Sequence, residues 1–209
     1  MNTDNNDNLE QKIIDTAREI FIEKGFTDTS MSEIAAKVGM NRPGIHYYFR
    51  TKDRMFQAVF GNIVLSFIPQ IKDIIQNKEK PISQRIREIV DAYYRVFKEN
   101  PYLPLFMLKE INRDVSHLIA AIEQLGVKQY MTQITDELQD EMAEGRLRSV
   151  PLRIVFMNFY SLLTVPFLTR DLCGKIFINK EKETFDTLLD QWKIHIVSQI
   201  TNLLEPTNN

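Results

Sequence analysis

Residues 30–52 read SMSEIAAKVGMNRPGIHYYFRTK, and the punctuation of this stretch decides the fold. Ser30 opens it as a capping box: its hydroxyl is placed to accept the backbone N–H of Glu33, while the Glu33 carboxylate reaches back to the N–H of Ser30. Met31, Ile34, Ala35 and Val38 recur at intervals of three and four, the spacing of one helix face rather than of a strand. Gly39 ends that helix, because glycine takes the left-handed C-cap conformation without steric cost. Asn41 caps the next helix, and Pro43 sits in its first turn, where the missing N–H is not needed. The second helix is short, spanning about 42–48. Two short helices joined by a tight turn containing glycine make a helix-turn-helix.

The side chains of the second helix give that unit a purpose. Ile45 and Phe49, four apart, can point inward and pin the helix, which leaves Arg42, His46, Tyr47 and Tyr48 largely outward. Polar-tipped aromatic rings beside Arg42, followed by Arg50, Lys52 and Arg54, suit a helix that meets base edges and grips phosphates. The charge is local: residues 37–54 hold five basic residues and one acid, whereas the remainder holds 21 basic and 27 acidic residues. Arg42 is the natural guanine reader, because its guanidinium fork matches the O6 and N7 acceptors.

Working outward, residues 1–8 are polar and read as a frayed tail. Leu9, Ile13, Ala17, Ile20 and Phe21 then form the apolar face of a first helix to about Lys24. A fourth helix runs from a Thr51 cap to about Gln76, apolar all round, with a kink expected around 64–68 because Pro69 lies inside it. The domains divide as 1–50, a three-helix DNA-binding domain, and 51–209, a regulatory domain whose first helix, 51–76, links the two. Helices follow at about 81–100, 105–112, 115–143, 151–170 and 181–204, broken by prolines and glycines, and nothing reads as strand. The fold class is all-α.

Composition excludes several other functions. The single cysteine, Cys173, allows no intramolecular disulfide framework, and neither a signal peptide nor an apolar run long enough to cross a bilayer is evident, so a cytoplasmic protein with no membrane partner is expected. His46, His117 and His195 are too scattered for a metal motif, and phosphate-loop and nucleophile-elbow motifs are lacking; no metal, no cofactor and no catalytic residue are expected. An enzyme is not indicated.

In the C-terminal part, Phe185, Leu189, Trp192, Ile196, Gln199 and Leu203 alternate in steps of four and three, a seam suited to helix packing across a two-fold dimer. Phe159 and Leu163 on the preceding helix are expected to join it. Aromatic and methionine side chains, Tyr93, Phe97, Phe106, Met107, Met131, Phe156 and Tyr160, suit an adaptable apolar ligand pocket, with His117 available to orient a polar group.

The ordered run FIEKGFTDTSMSEIAAKVGMNRPGIHYYFRTKDRMFQAVF resembles the N-terminal DNA-binding domain of TetR-family transcriptional regulators over about residues 13–60. The resemblance implies about nine helices, a homodimer formed by the last two, and a C-terminal pocket for a small-molecule effector that releases a palindromic operator. Carried across residue by residue, it implies that Ser30, Tyr48 and Lys52 contact phosphate and that Asn41, Arg42, Pro43, His46 and Tyr47 face the groove. His46 departs from the family pattern, which often has Tyr there. A dimer governed by a protein partner, or acting as an activator, stays open beside the repressor.

Overall fold

The computed structural model describes residues 3–179 and 181–206, and the described residues are helical with turns between. The chain forms two compact units, one of Met1–Ser66 with Leu105–Val127 and the other of Phe67–Pro104 with Lys128–Asn209. This division differs from the 1–50 and 51–209 expected from the sequence, since two later helices belong with the helix-turn-helix.

The first unit holds α1 (Thr3–Asp28), α2 (Met31–Val38), α3 (Arg42–Tyr48), α4 (Lys52–Leu65) and most of α7 (Leu103–Gln124). Residues 3–8, expected to fray, form the first turns of α1, while Met1 and Asn2 lie outside the described residues. Gly25, at φ 87°, interrupts α1 near its end, a conformation open to glycine. Ile13, Ala17, Ile20 and Phe21 of α1 are buried together with Ile34, Ala35, Ile45, Met55 and Phe56. Phe26 and Phe56 meet edge to face at 5.4 Å, and Phe56 lies 6.0 Å from Phe106 of α7. The buried Glu110 of α7 accepts the backbone N–H of Phe26 at 3.1 Å and pairs with Arg113, so its charge is compensated where water is excluded. Asp114 breaks α7, as the sequence suggested near that point, and accepts the N–H of His117 at 3.0 Å to cap the resumed helix.

Lys52 is fastened inside this unit. Its ammonium donates to the carbonyls of Phe26 (2.8 Å), Thr27 (3.3 Å) and Thr29 (2.9 Å) and lies 4.4 Å from the centre of the Phe26 ring. An ammonium has three donors, and three carbonyls take them. The loop between α1 and α2 is thereby tied to the start of α4.

The expected kink in 51–76 is a full break. Helix α4 ends at Leu65, Phe67 takes a non-helical φ of −133°, and α5 (Ile68–Gln76) begins with Pro69 in its first turn. The ring that would collide with the carbonyl one turn back instead starts a new helix, where it is tolerated. Within residues 52–76 an 18-residue window is as apolar as a membrane span, with a mean hydropathy of 1.4. The break and the burial of Met55, Phe56, Ile71 and Ile75 give that apolarity an internal use.

The second unit holds α5, α6 (Ile82–Glu99), α8 (Val127–Ala143), α9 (Leu152–Leu168), α10 (Arg170–Ile176) and α11 (Phe185–Leu204). One buried ion pair ties three of them: Arg85 of α6 meets Glu141 of α8 in a two-pronged contact at 2.6 and 2.7 Å, and also donates to the carbonyl of Ile75 at the end of α5, 2.7 Å away. On the other side, the Trp192 indole of α11 donates to the carbonyl of Leu162 in α9 at 2.8 Å, and Lys193 pairs with Asp91 of α6. Arg148 donates to the carbonyls of Asn202 and Glu205, satisfying orphan acceptors at the end of α11.

Two stability outcomes follow from these ties. Arg85→Ala strands a buried carboxylate and lowers unfolding free energy by about 3–5 kcal/mol, whereas Arg85→Met with Glu141→Leu recovers most of the loss; urea titration distinguishes them. Lys52→Ala removes three charge-assisted bonds and costs about 2 kcal/mol without any DNA present, read as a lower unfolding midpoint. An unchanged midpoint for Lys52→Ala contradicts its fastening role.

Candidate nucleic-acid interface

The candidate surface is built on α3, which has only seven residues. Its start is set by Asn41, whose side chain accepts the N–H of Gly44 at 2.9 Å, and Pro43 lies in the first turn. Ile45 is fully buried and Phe49 nearly so, which turns the opposite face outward. The preceding helix, α2, starts at Ser30, whose Oγ accepts the N–H of Glu33 at 3.1 Å. Only that half of the expected capping box forms, because the Glu33 carboxylate pairs with Lys24 instead. Gly39 closes α2 at φ 85°, the left-handed cap read from the sequence.

Outward lie Asn41, Arg42, Pro43 and Tyr47, with Tyr47 77% exposed, and with His46 and Tyr48 half-buried beside them. The Tyr47 and Tyr48 rings meet edge to face at 5.3 Å. Arg42 and His46 are connected. The Arg42 Nε–H donates to His46 Nε2 at 3.3 Å, and His46 Nδ1 lies 3.2 Å from the carbonyl of Arg50. If Nε2 accepts, Nδ1 must carry the proton, and that is what a carbonyl partner requires. The neutral imidazole is thus matched on both sides, and the guanidinium is held by its Nε edge with its two terminal nitrogens left to project.

Ser30, Asn41, Arg42, Pro43, His46, Tyr47 and Tyr48 are gathered on this side of the unit, but Lys52 is not arranged as the sequence suggested. Its donors are committed to the carbonyls of residues 26, 27 and 29, so it stands as a fastening of the fold. Arg50 and Arg54 are the exposed cations next to it. Helical spacing shows which face is apolar, but it gives no hint that a lysine will fold back onto a loop two dozen residues earlier.

The second unit contains a cavity of about 70 Å³ between α5, α6, α8, α9 and α11. Tyr93, Met131, Phe156 and Tyr160 line it as expected, together with Phe159 and a set of isoleucines from α5 and α6. Four expected pocket residues do not. Phe97 packs on Phe167 at 5.1 Å, while Phe106, Met107 and His117 belong to the first unit, where His117 lies 3.1 Å from Asp53. The isoleucines were missed because an apolar helix reads as core whether its neighbour is protein or a void.

Part of the expected dimer seam is covered within the subunit. Leu163, Leu189 and Ile196 are buried within their own subunit, Phe159 faces the cavity, Phe185 and Leu203 are half-buried, and Trp192 is bonded to Leu162. The apolar side chains left outward on α9, α10 and α11 are others: Ile154, Met157, Val165, Leu172, Ile176 and Ile194. The subunit itself covers Leu189 and Ile196 of the stripe and leaves Phe185, Trp192 and Leu203 half-exposed.

Comparison with known proteins agrees with this geometry. Residues 13–59 match the family described as "Bacterial regulatory proteins, tetR family". The chain is 24% identical over 177 residues to the "Probable HTH-type transcriptional regulator YttP" of Bacillus subtilis (strain 168), covering 83% of this chain and 84% of that protein. It is 20% identical over 137 residues to the "Fatty acid metabolism regulator protein" of the same organism, covering 66% and 70%. Its fold matches the crystal structure of HlyIIR, a hemolysin II transcriptional regulator, with a TM-score of 0.67 and 19% identity, covering 96% of this chain and 99% of that one. With a capped helix-turn-helix carrying an exposed basic and aromatic face, residues 13–59 are a DNA-binding segment of the kind found in the tetR family of bacterial regulatory proteins, and the relatives that the chain resembles over more of its length are transcriptional regulators.

Proposed function

We propose that the protein is a repressor that binds a palindromic operator as a homodimer and is released by a small, largely apolar effector held in its second unit. The observation that carries the reading is the outward face of α3, where burial of Ile45 leaves Arg42 and Tyr47 exposed to a partner. In this reading Arg42 contacts guanine end-on through its terminal nitrogens, because His46 holds the Nε edge. The Ser30 hydroxyl, whose oxygen accepts from Glu33 but whose hydrogen remains to donate, reaches a phosphate together with Arg50 and Arg54. Asn41, Pro43, Tyr47 and Tyr48 complete the contact surface.

A second copy would cover the outward apolar side chains of α9 and α11, Ile154, Met157, Val165 and Ile194. A two-fold dimer presents two reading helices to successive major-groove turns about 34–36 Å apart, which is why the operator is expected to be palindromic. Release requires an effector that binds the DNA-free form of the dimer more tightly, since equal affinity for both forms shifts nothing. The cavity in the second unit is the place for it. A protein effector is the second reading, favoured by the exposed Leu108, Ile111, Val115 and Ile119 on α7.

A genome-wide DNA pull-down with the purified protein tests the proposal. It should enrich a palindrome, and footprinting should place the protein over both half-sites; failure to enrich any sequence refutes the regulator reading of this surface. On the recovered operator, Arg42→Ala relaxes preference at one base pair per half-site by about 1–3 kcal/mol and leaves random-sequence affinity near wild type. His46→Gln, which can accept from Arg42 and donate to the Arg50 carbonyl, keeps that preference, whereas His46→Leu weakens it. Equal losses on operator and random DNA for Arg42→Ala assign Arg42 to phosphate instead. Release of the operator by a small molecule in a purified system decides against the protein effector.

A further inference from the structure

The cavity in the second unit has a lining whose chemistry is uneven. Its walls are almost wholly hydrocarbon, and of the residues that line it only Met131, Tyr93 on α6 and Tyr160 on α9 carry a side-chain heteroatom. The two phenolic oxygens lie 2.9 Å apart. In such a pair one hydroxyl donates and the other accepts, so the accepting hydroxyl keeps its own hydrogen and both oxygens keep lone pairs. A buried O–H without a partner costs free energy, and a ligand that supplies an acceptor recovers it.

The same site is unsuited to a charge. Burial pushes the Tyr93 phenol well above its ordinary range, with the neighbouring Tyr160 adding to it, and the packing around the Tyr160 phenol raises that group too, although Tyr160 as a residue is 38% exposed. Both tyrosines therefore remain neutral and protonated through the physiological range. No lysine, arginine, histidine or carboxylate is among the residues lining the cavity. Arg85, the buried guanidinium of α6, is already held by Glu141 and the Ile75 carbonyl. A carboxylate or an ammonium entering the cavity loses its hydration and gains no counter-charge.

We infer that the ligand of this cavity is an uncharged aliphatic molecule bearing one oxygen acceptor at its end, such as a short-chain ketone, alcohol, aldehyde or ester, anchored by the Tyr93–Tyr160 hydroxyl pair. This rests on the reading of the cavity as the effector site. The volume of about 70 Å³ corresponds to roughly five water-sized spheres. It favours a short chain, with the flexible Met131 side chain able to move aside for a longer one. Nothing in this lining selects for a ring or for a second polar end.

Matched six-carbon probes test the inference on the full-length protein. Calorimetric titration with 2-hexanone, 1-hexanol, hexanoate and hexylamine at neutral pH should rank both neutral probes at least about tenfold tighter than either ion. Tyr93→Phe with Tyr160→Phe should weaken 2-hexanone about tenfold, one hydrogen bond's worth, while hexane-like apolar affinity persists. Hexanoate or hexylamine binding as tightly as 2-hexanone overturns the inference, as does the absence of detectable binding by both neutral probes. The comparison among probes on the wild-type protein stands even if the double variant folds poorly. Operator affinity measured with saturating 2-hexanone separates the two readings: tight binding that leaves the operator bound supports the ligand class and rejects the effector role.

Discussion

The burial of Ile45 is the constraint on which the exposed face of α3 depends. A helix of seven residues has too few hydrogen bonds to persist by itself in water, because nucleation is costly and only a few residues follow it. Its stability is borrowed. Ile45 contributes roughly 2 kcal/mol by leaving water, and the caps at Asn41 and Phe49 bracket it so that only one rotation about its axis buries that side chain. Once Ile45 is inward, the directions of Arg42, His46 and Tyr47 follow from helical geometry. The exposed face of α3 is in this sense the remainder left after the core has been satisfied.

The polar interior follows a related logic. Glu110 and Lys52 are both drawn toward the loop after α1, one accepting the Phe26 N–H and the other donating to the carbonyls around it. Together they satisfy backbone groups that a helix end leaves without partners, and they fix the spacing of α1, α4 and α7. Arg85 and Glu141 do the equivalent task in the second unit. Such pairs add little net stability over an apolar alternative, but each tolerates only one arrangement of the helices that carry it. The consequence for DNA is a smaller set of available cations: Arg50 and Arg54 remain outward while Lys52 does not.

Local signals in the sequence were legible because their partners lie within four residues. Ser30, Asn41 and Thr51 cap the helices they precede, and Gly39 closes α2, as the spacing implied. Pro69 was correctly read as a disruption, yet its severity was underestimated, since whether a helix kinks or restarts depends on what packs around the break. The seam through Leu189 and Ile196 was read as a dimer face on its periodicity together with the family resemblance. Periodicity establishes that a face is apolar and says nothing about whether the covering surface belongs to the same chain. The cavity shows the same ambiguity in reverse, with Ile68, Ile71 and Ile75 facing a void that no pattern distinguishes from core.

By itself the sequence determined the all-α class, the helix-turn-helix and the identity of the exposed residues on α3, because caps, turns and the three-four spacing act over a single helical turn. The tertiary structure decided which helices share a unit, where Lys52 spends its charge, and that two tyrosines 67 positions apart hydrogen-bond to each other in the lining of an apolar cavity. These depend on contacts between residues far apart in the chain, whose meeting is set by the joint packing of several helices and leaves no periodic trace in any one of them.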